Sequence, residues 1–385
     1  MSVVIAGYAR TPFVRYCGAF AAVPATALGA HAAAAALARA GLEPAAVSAV
    51  VGGQVLQAGA GQNPARQAAV GAGVPLTVPA QTLNVVCLSG TEAVSQGARL
   101  IAAGEADVVL ALGMESMTLA PHAQVGARLG TRYGAIELID TLAADGLTDA
   151  FEARSMGAST EEHSAGLDVS REDNDAWAAE SHRRLAASAD VQAEEIAPFT
   201  TPGRRGVEVA ADDGVRPDTT VESLAGLRAA FGGAGTITAG NASQITDGAA
   251  AVVLAREGLA ASPLARIVST ALVAGPDVSL HLQPARAARA ALEKAGRSAA
   301  ELAAAEINEA FAAVAVASTR ELGLDPAIVN PHGGAIALGH PIGASGTRIV
   351  GHVARTVAGL GSGALGVAAI CGGGGQGSAV LLEAV

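Results

Sequence analysis

Strand-length apolar runs alternate with helix-length, Ala-rich stretches near both ends of this chain, and that alternation restricts the fold more than any single residue does. Residues 3–6, 49–55 and 108–112 are apolar runs; 26–40 reads as a helix between the first two, and Val94, Ala98 and Ile101 recur at helical spacing before the third. The same texture returns at 247–254 and continues from residue 265, with strand-like runs at Val329, 367–370 and 380–382. Such alternation predicts a mostly parallel sheet with helices on both faces. The second half reads as a repeat of the first, without a sequence repeat strong enough to prove it. Residues 119–240 break the rhythm with polar helices such as 171–187 and with loops rich in Gly, Pro and Asp, 200–206 among them, so an inserted loop domain is expected there. Aromatic residues are only 3% of a chain that is 51% hydrophobic, which leaves Ala, Val, Leu and Ile to build a core of closely packed helices on sheets. At 385 residues, two or three subdomains are expected.

Charge and cysteine usage remove several classes of function. A net charge of −11 and the absence of any Lys/Arg run give no footprint for nucleic acid, so an anionic ligand would need local donors. Cys17, Cys87 and Cys371 are far apart, with no CxxC pair and no clustered histidines, which argues against a disulfide framework and against a metal site. The N-terminal MSVVIAGYARTP enters a strand at once, without the basic-then-apolar pattern of a signal peptide, and no uninterrupted apolar span is long enough for a membrane helix. A cytoplasmic protein with reduced cysteines and no membrane partner is expected.

Four stretches carry chemistry. In 84–90 (NVVCLSG), Cys87 stands between a strand-like run and an amphipathic helix, where amide donors and the helix dipole favour thiolate and lower the pKa. Cys87 therefore reads either as a nucleophile or as a small buried residue. Cys17, in a polar loop with no acid, base or metal-like neighbour, reads as structural. In 306–314 (EINEAFAAV), Asn308 and Glu309 open an apolar helix, Asn308 being an amide donor or only a cap. In 330–346 (NPHGGAIALGHPIGASG), His340 sits among glycines in an open backbone setting suited to taking a proton from a thiol; His332 is a second, weaker candidate. In 371–377 (CGGGGQG), Cys371 ends an apolar run and is followed by glycine amides, the makings of a second acid/base and an oxyanion hole.

Taken together and in order, these stretches resemble the thiolase family, most closely its biosynthetic type, the acetyl-CoA C-acetyltransferases. The resemblance runs through essentially the whole chain: VVIAGYARTP, the Cys87 segment, GMESM from Gly113, DGLTDAF from Asp145, SREDNDAWA from Ser170, GTITAGNAS from Gly235, NEAFA from Asn308, GGAIALGHPIGASG from Gly333 and the terminal CGGGGQG. It implies an α/β thiolase fold, in which two similar βαβ-type halves form a layered α-β-α-β-α core: 1–117 with 246–263, then 264–385, with 118–245 as a CoA-binding loop domain. It further implies that His340 deprotonates Cys87, that the thiolate takes an acyl group from acyl-CoA, and that Cys371 removes the α-proton of a second acetyl-CoA. His340 and a water on Asn308 would hold one oxyanion, and the amides of Cys87 and Gly373 the other. Arg216, Ser243, Met156 and Leu280 fall at positions that approach CoA or the acyl group. CoA thioesters are substrates, and no resident cofactor or metal is implied. A homodimer or homotetramer is implied, with 121–132 as a possible tetramer contact.

Departures from the family pattern gather around the substrate. Leu88 stands in place of Gly after the nucleophile, an expected narrowing of the pocket or shift of the turn. Ser155 replaces a histidine, Gln244 a glycine, and 280–284 (LHLQP) a more glycine-rich loop. They keep open a degradative 3-ketoacyl-CoA thiolase with longer or modified substrates. A non-catalytic acyl-CoA binder is disfavoured by the full set of reacting residues.

Overall fold

The computed structural model describes residues 1–131, 133–204, 206–232 and 235–385; Arg132, at the end of the suggested tetramer loop, and Arg205, within 200–206, lie outside the described residues. The core strands are β1 (Val3–Arg10), β2 (Ala49–Gly53), β3 (Ala80–Leu83), β4 (Val108–Glu115), β5 (Thr246–Arg256), β6 (Ala265–Ala274), β7 (Leu302–Ile307), β8 (Leu365–Gly372) and β9 (Gln376–Ala384). The helices used below are α1 (Ala25–Ala40), α2 (Pro64–Gly71), α3 (Ser89–Ala102), α4 (Met156–His163), α5 (Arg171–Ala187), α6 (Ala189–Glu195), α7 (Gln283–Lys294), α8 (Ala312–Leu322) and α9 (Ile342–Leu360).

The strands lie in the order β7-β8-β9-β6-β1-β5-β4-β2-β3, which is one arrangement used twice. The series β1-β5-β4-β2-β3 is matched by β6-β9-β8-β7 and a parallel bridge from Ala305 to Val329. In each half the second strand runs antiparallel to both neighbours and the remaining contacts are parallel. The sheet is thus mixed, not mostly parallel. Strands joined by helical crossovers do run parallel, as the alternation predicts. The exceptions are β9, which follows β8 through the glycine turn 373–375 and can only return antiparallel, and β5, which enters between β1 and β4 after the excursion of 116–245.

The half-sheets join edge to edge where Val3–Ile5 pair with residues 265–267, and they enclose α3 and α9 as a middle layer. Val94, Ala98 and Ile101 of α3 and Ile349, Val350 and Val353 of α9 pack with Val109 and Ala111 of β4 and with Ala368 and Ile370 of β8. The alternate residues of those strands face outward: Leu110 and Leu112 meet α1 and α2, and Val367 and Ala369 meet α7 and α8. Helices on both faces explain why β4 reads as an unbroken apolar run.

Small residues let the middle helices touch. A Cβ on Gly90 would overlap the Thr347 amide nitrogen, one on Gly346 the Thr91 amide nitrogen, and one on Gly113 the Gly343 carbonyl. Thr347 Oγ1 donates to Gly90 O at 3.1 Å across the same crossing. The starts of α3 and α9, which occupy equivalent places in the two halves, therefore meet backbone to backbone.

A buried ionic network ties this core to α6. Glu195 accepts from His352 Nδ1 (2.5 Å), the Tyr8 hydroxyl (3.2 Å) and Arg10 Nε (3.3 Å), and Arg10 also pairs with Asp212 at 2.6 and 2.8 Å. Burial pushes the Glu195 carboxyl up, but His352 and Arg10 outweigh it and hold the group well below the usual carboxylate range. His332 belongs to this network, its Nδ1 3.0 Å from His352 Nε2.

The helix crossing sets a stability expectation. Gly346→Ala is expected to lower stability by about 1–3 kcal/mol, through overpacking. Gly359→Ala, on the same helix with no atom within 4 Å of an added Cβ, should be neutral or stabilising by up to about 1 kcal/mol. Urea denaturation of both variants checks this.

Candidate active site

Cys87 sits in the turn between β3 and α3, and that turn is held under strain. Val86, a β-branched residue, takes φ +51°, a region such residues rarely enter. Asn84 Oδ1 accepts from Val86 N (2.9 Å), while Ser89 Oγ accepts from Val85 N (2.9 Å) and donates to Val86 O (2.6 Å). These bonds overdetermine the strained residue.

The half-buried Cys87 lines one cavity with His340, Cys371 and Gly373. Met156, Leu280, Phe311 and Ile342 close it, Ser243 lies on its wall, and its volume is about 60 Å³. A wider cleft of about 780 Å³ adjoins it, sharing Val86, Gly146, Met156 and Gly373. Three residues distant in sequence meet there because each stands at an end of a core element: Cys87 precedes α3, His340 precedes α9, and Cys371 is the last residue but one of β8.

His340 is oriented from one side only. Ser345 Oγ, one turn into α9, lies 2.6 Å from His340 Nδ1 and donates to Pro341 O at 3.2 Å. With the hydroxyl proton on Pro341 O, Ser345 accepts from Nδ1, and in that tautomer Nε2 is the basic nitrogen. Nε2 is buried and has no hydrogen-bond partner among the described residues. Backbone donation from His340 N to Gln244 O (3.0 Å) fixes the loop, and Gln244 Nε2 in turn donates to Gly214 O and Ile336 O.

The electrostatics differ from the low thiol pKa expected at a helix start. Burial pushes the Cys87 thiol up to about 12, against the opposing amides of Gly373 and Cys87 itself. Burial and the neighbouring Cys87 raise Cys371 further still, and burial lowers His340 to about 4. The resting site is a neutral thiol beside a neutral imidazole, because the apolar enclosure outweighs the dipole and the amide donors.

Other sequence candidates fall as follows. Asn308 is buried two residues before Ala310 and three before Phe311, which line the cavity, but it is not itself a lining residue; its Nδ2 is buried without a partner among the described residues. It does not cap α8, whose cap residue is Phe311. Arg216 is exposed and lines neither cavity nor cleft; only its backbone is anchored, N donating to His182 Nδ1 at 3.1 Å. Leu88 does not narrow the pocket: it is fully buried in the core, where it would meet a Cβ placed on Gly372. Ser155 caps α4, accepting from Ala158 N. His332 is drawn into the His352 network and away from the thiol.

Two residues with positioning roles carry little signal in the sequence. Ser345 lies in the quoted GASG. Glu115 ends the apolar run of β4, and a lone acid there was the available signal. Its carboxylate accepts from Val55 N, Leu56 N and Gly343 N (3.1, 3.1 and 2.9 Å), pinning the start of α9 to the loop after β2. Burial nonetheless raises it to about 7.

A fold of two repeated halves thus brings a cysteine, a histidine and a second cysteine together at their junction, the arrangement expected of an acyltransferase. Comparison with known proteins agrees: a thiolase N-terminal domain model matches residues 3–258 and a thiolase C-terminal domain model matches 261–384. A Mycobacterium leprae protein named probable acetyl-CoA acetyltransferase is 49% identical over 392 residues, covering 100% of this chain and 99% of the relative. Its Mycobacterium tuberculosis counterpart is 50% identical over 391 residues with the same coverage. An acetyl-CoA acetyltransferase of Chromobacterium violaceum is 46% identical over 391 residues, with 100% of both chains covered. The chain belongs to the thiolase family.

A neutral resting thiol has a measurable consequence. Alkylation of Cys87 by iodoacetamide, read by peptide mass spectrometry, is expected to accelerate about tenfold per pH unit between pH 6 and 9. A plateau near neutrality would instead indicate a preformed thiolate.

Proposed function

We propose that this protein transfers an acetyl group between CoA thioesters by Claisen condensation, joining two acetyl-CoA into acetoacetyl-CoA and CoA, reversibly. The observation that supports the short-chain reading is the cavity around Cys87. Its volume of about 60 Å³ is room for a few water-sized groups, enough for an acetyl unit and too little for a long chain.

In the proposed reaction His340 Nε2 takes the Cys87 proton and the thiolate attacks the first acetyl-CoA carbonyl. Cys371 protonates the departing CoA sulfur, leaving acetyl-Cys87, an imidazolium and a Cys371 thiolate. That thiolate removes the α-proton of the second acetyl-CoA, and the carbanion attacks the acetyl-cysteine. The bond to Cys87 breaks, and the imidazolium returns its proton to the sulfur. The amides of Cys87 and Gly373 serve the acyl-enzyme carbonyl; the protonated His340 and a water held by the unpartnered Asn308 amide serve the enolate. The reaction calls on no resident cofactor or metal, since CoA is carried by the substrates.

Residues 118–245 are proposed as a loop domain against which CoA lies. Ser243 and Met156, on the cavity wall, would take the pantetheine and acyl end, and the exposed Arg216 the nucleotide end. A cytoplasmic homodimer or homotetramer is proposed as well. Val125, Leu129, Tyr133 and Ile136 are exposed apolar side chains in and beside the 121–132 loop, and β3 is an edge of the sheet. No helix among the described residues is long and apolar enough to cross a membrane.

The test is CoA-dependent thiolysis of 3-ketoacyl-CoA over several chain lengths. Acetoacetyl-CoA is expected to be preferred, with activity lost in Cys87→Ala and kcat reduced on the order of a hundredfold in Asn308→Ala. Preference for longer chains would favour the degradative reading, and inactivity of the wild type would favour a non-catalytic acyl-CoA binder.

A further inference from the structure

Three of the side chains that close the cavity come from elements outside the middle layer: Leu280 from the loop before α7, Met156 from the first turn of α4, and Phe311, the residue that caps α8. Its width therefore depends on what holds those elements together. His281, next to Leu280 and 1% exposed, bonds to both of the others. Its Nε2 lies 3.0 Å from Oγ of Ser164, the residue that ends α4. Its carbonyl accepts from Ser318 Oγ of α8 at 2.7 Å.

The protonation of the ring follows from its neighbour. Ser164 Oγ is also placed to donate to Thr160 O at 3.0 Å; with its proton there the hydroxyl accepts from the imidazole, and in that tautomer the ring proton sits on Nε2. Nδ1 is then a buried lone pair with no partner among the described residues. An unpaired acceptor in the interior is unfavourable, and an apolar residue here would avoid it while giving up the link to α4. Burial, with His163 nearby, lowers the ring to about 4, so the bonding pattern is constant through neutral pH.

We infer that His281 is a positioning residue for chain-length selection: by tying the Leu280 loop to the end of α4 through its ring and to the middle of α8 through its carbonyl, it holds the cavity at acetyl width. The inference rests on the thiolytic reading above. Its logic is steric, since Leu280 freed from α4 can withdraw and admit further methylenes, and each methylene accepted or refused in an apolar pocket is worth roughly 10- to 200-fold in selectivity.

The experiment compares kcat/KM for thiolysis of acetoacetyl-CoA and 3-ketohexanoyl-CoA in wild type, His281→Ala, His281→Gln and Ser164→Ala, with thermal unfolding of each. The six-carbon to four-carbon ratio is expected to rise about tenfold in His281→Ala. A smaller rise is expected in Ser164→Ala, which removes the hydroxyl partner alone and carries the test if His281→Ala does not fold. His281→Gln, whose amide can still reach Ser164, should return toward the wild-type ratio. An unchanged ratio, or a loss shared equally by both substrates, would overturn the inference by reducing His281 to a structural residue. Failure of the wild type on acetoacetyl-CoA is read before any variant, and would instead overturn the thiolytic reading.

Discussion

The contact on which the rest of the molecule depends is the crossing of α3 and α9, where Gly90 and Gly346 let two helix starts meet backbone to backbone. The nucleophile immediately precedes one helix and the base precedes the other, so their relation is set by main chain and not by long side chains. Both helices are locked between half-sheets whose strands are buried on both faces. A packed interior resists small displacements, and a site built at such a crossing inherits that stiffness. The glutamate at the end of β4 adds to it by bonding the first turn of α9 to the loop after β2.

Electrostatics and enclosure work in the same direction. The cavity around Cys87 is apolar enough to keep thiol and imidazole neutral, so in the proposed reaction charge appears only when substrate has displaced water. Backbone amides and an already oriented imidazole then meet that charge with little reorganisation, which is where such sites gain most of their advantage. Ser345 contributes by engaging Nδ1 and so orienting the ring.

Much of this was legible in the sequence, and for a physical reason. Cys87, His340 and Cys371 each stand where an apolar run gives way to glycines or small residues, and reacting groups are placed at such turns because the regular elements on either side are buried. The helical crossovers were legible too, but the reversed strands were not: an apolar run carries no record of its direction, and β5 and β9 are told apart from parallel strands only by what precedes them. Asn308 read equally well as a cap because its neighbours, not its own spacing, decide that the helix begins at Ala312. The thiol pKa departs from the sequence expectation because the helix dipole is visible in a sequence, whereas the enclosure by Met156, Leu280 and Phe311, drawn from three distant segments, is not. Glu115 and Ser345 were hidden inside quoted motifs, since their partners are backbone groups that a sequence does not mark.

The place of β5 also bears on how the chain is made. It lies between β1 and β4, yet it is not complete until Arg256. During synthesis the first half-sheet is a set of strands without their central partner while the whole 116–245 excursion emerges. At about 5–20 residues per second that interval lasts many seconds, with the inner edges of β1 and β4 unpaired throughout. A nascent chain in that condition presents open strand edges to its neighbours, and the molecule is exposed to mispairing on the ribosome in a way that its finished architecture does not reveal.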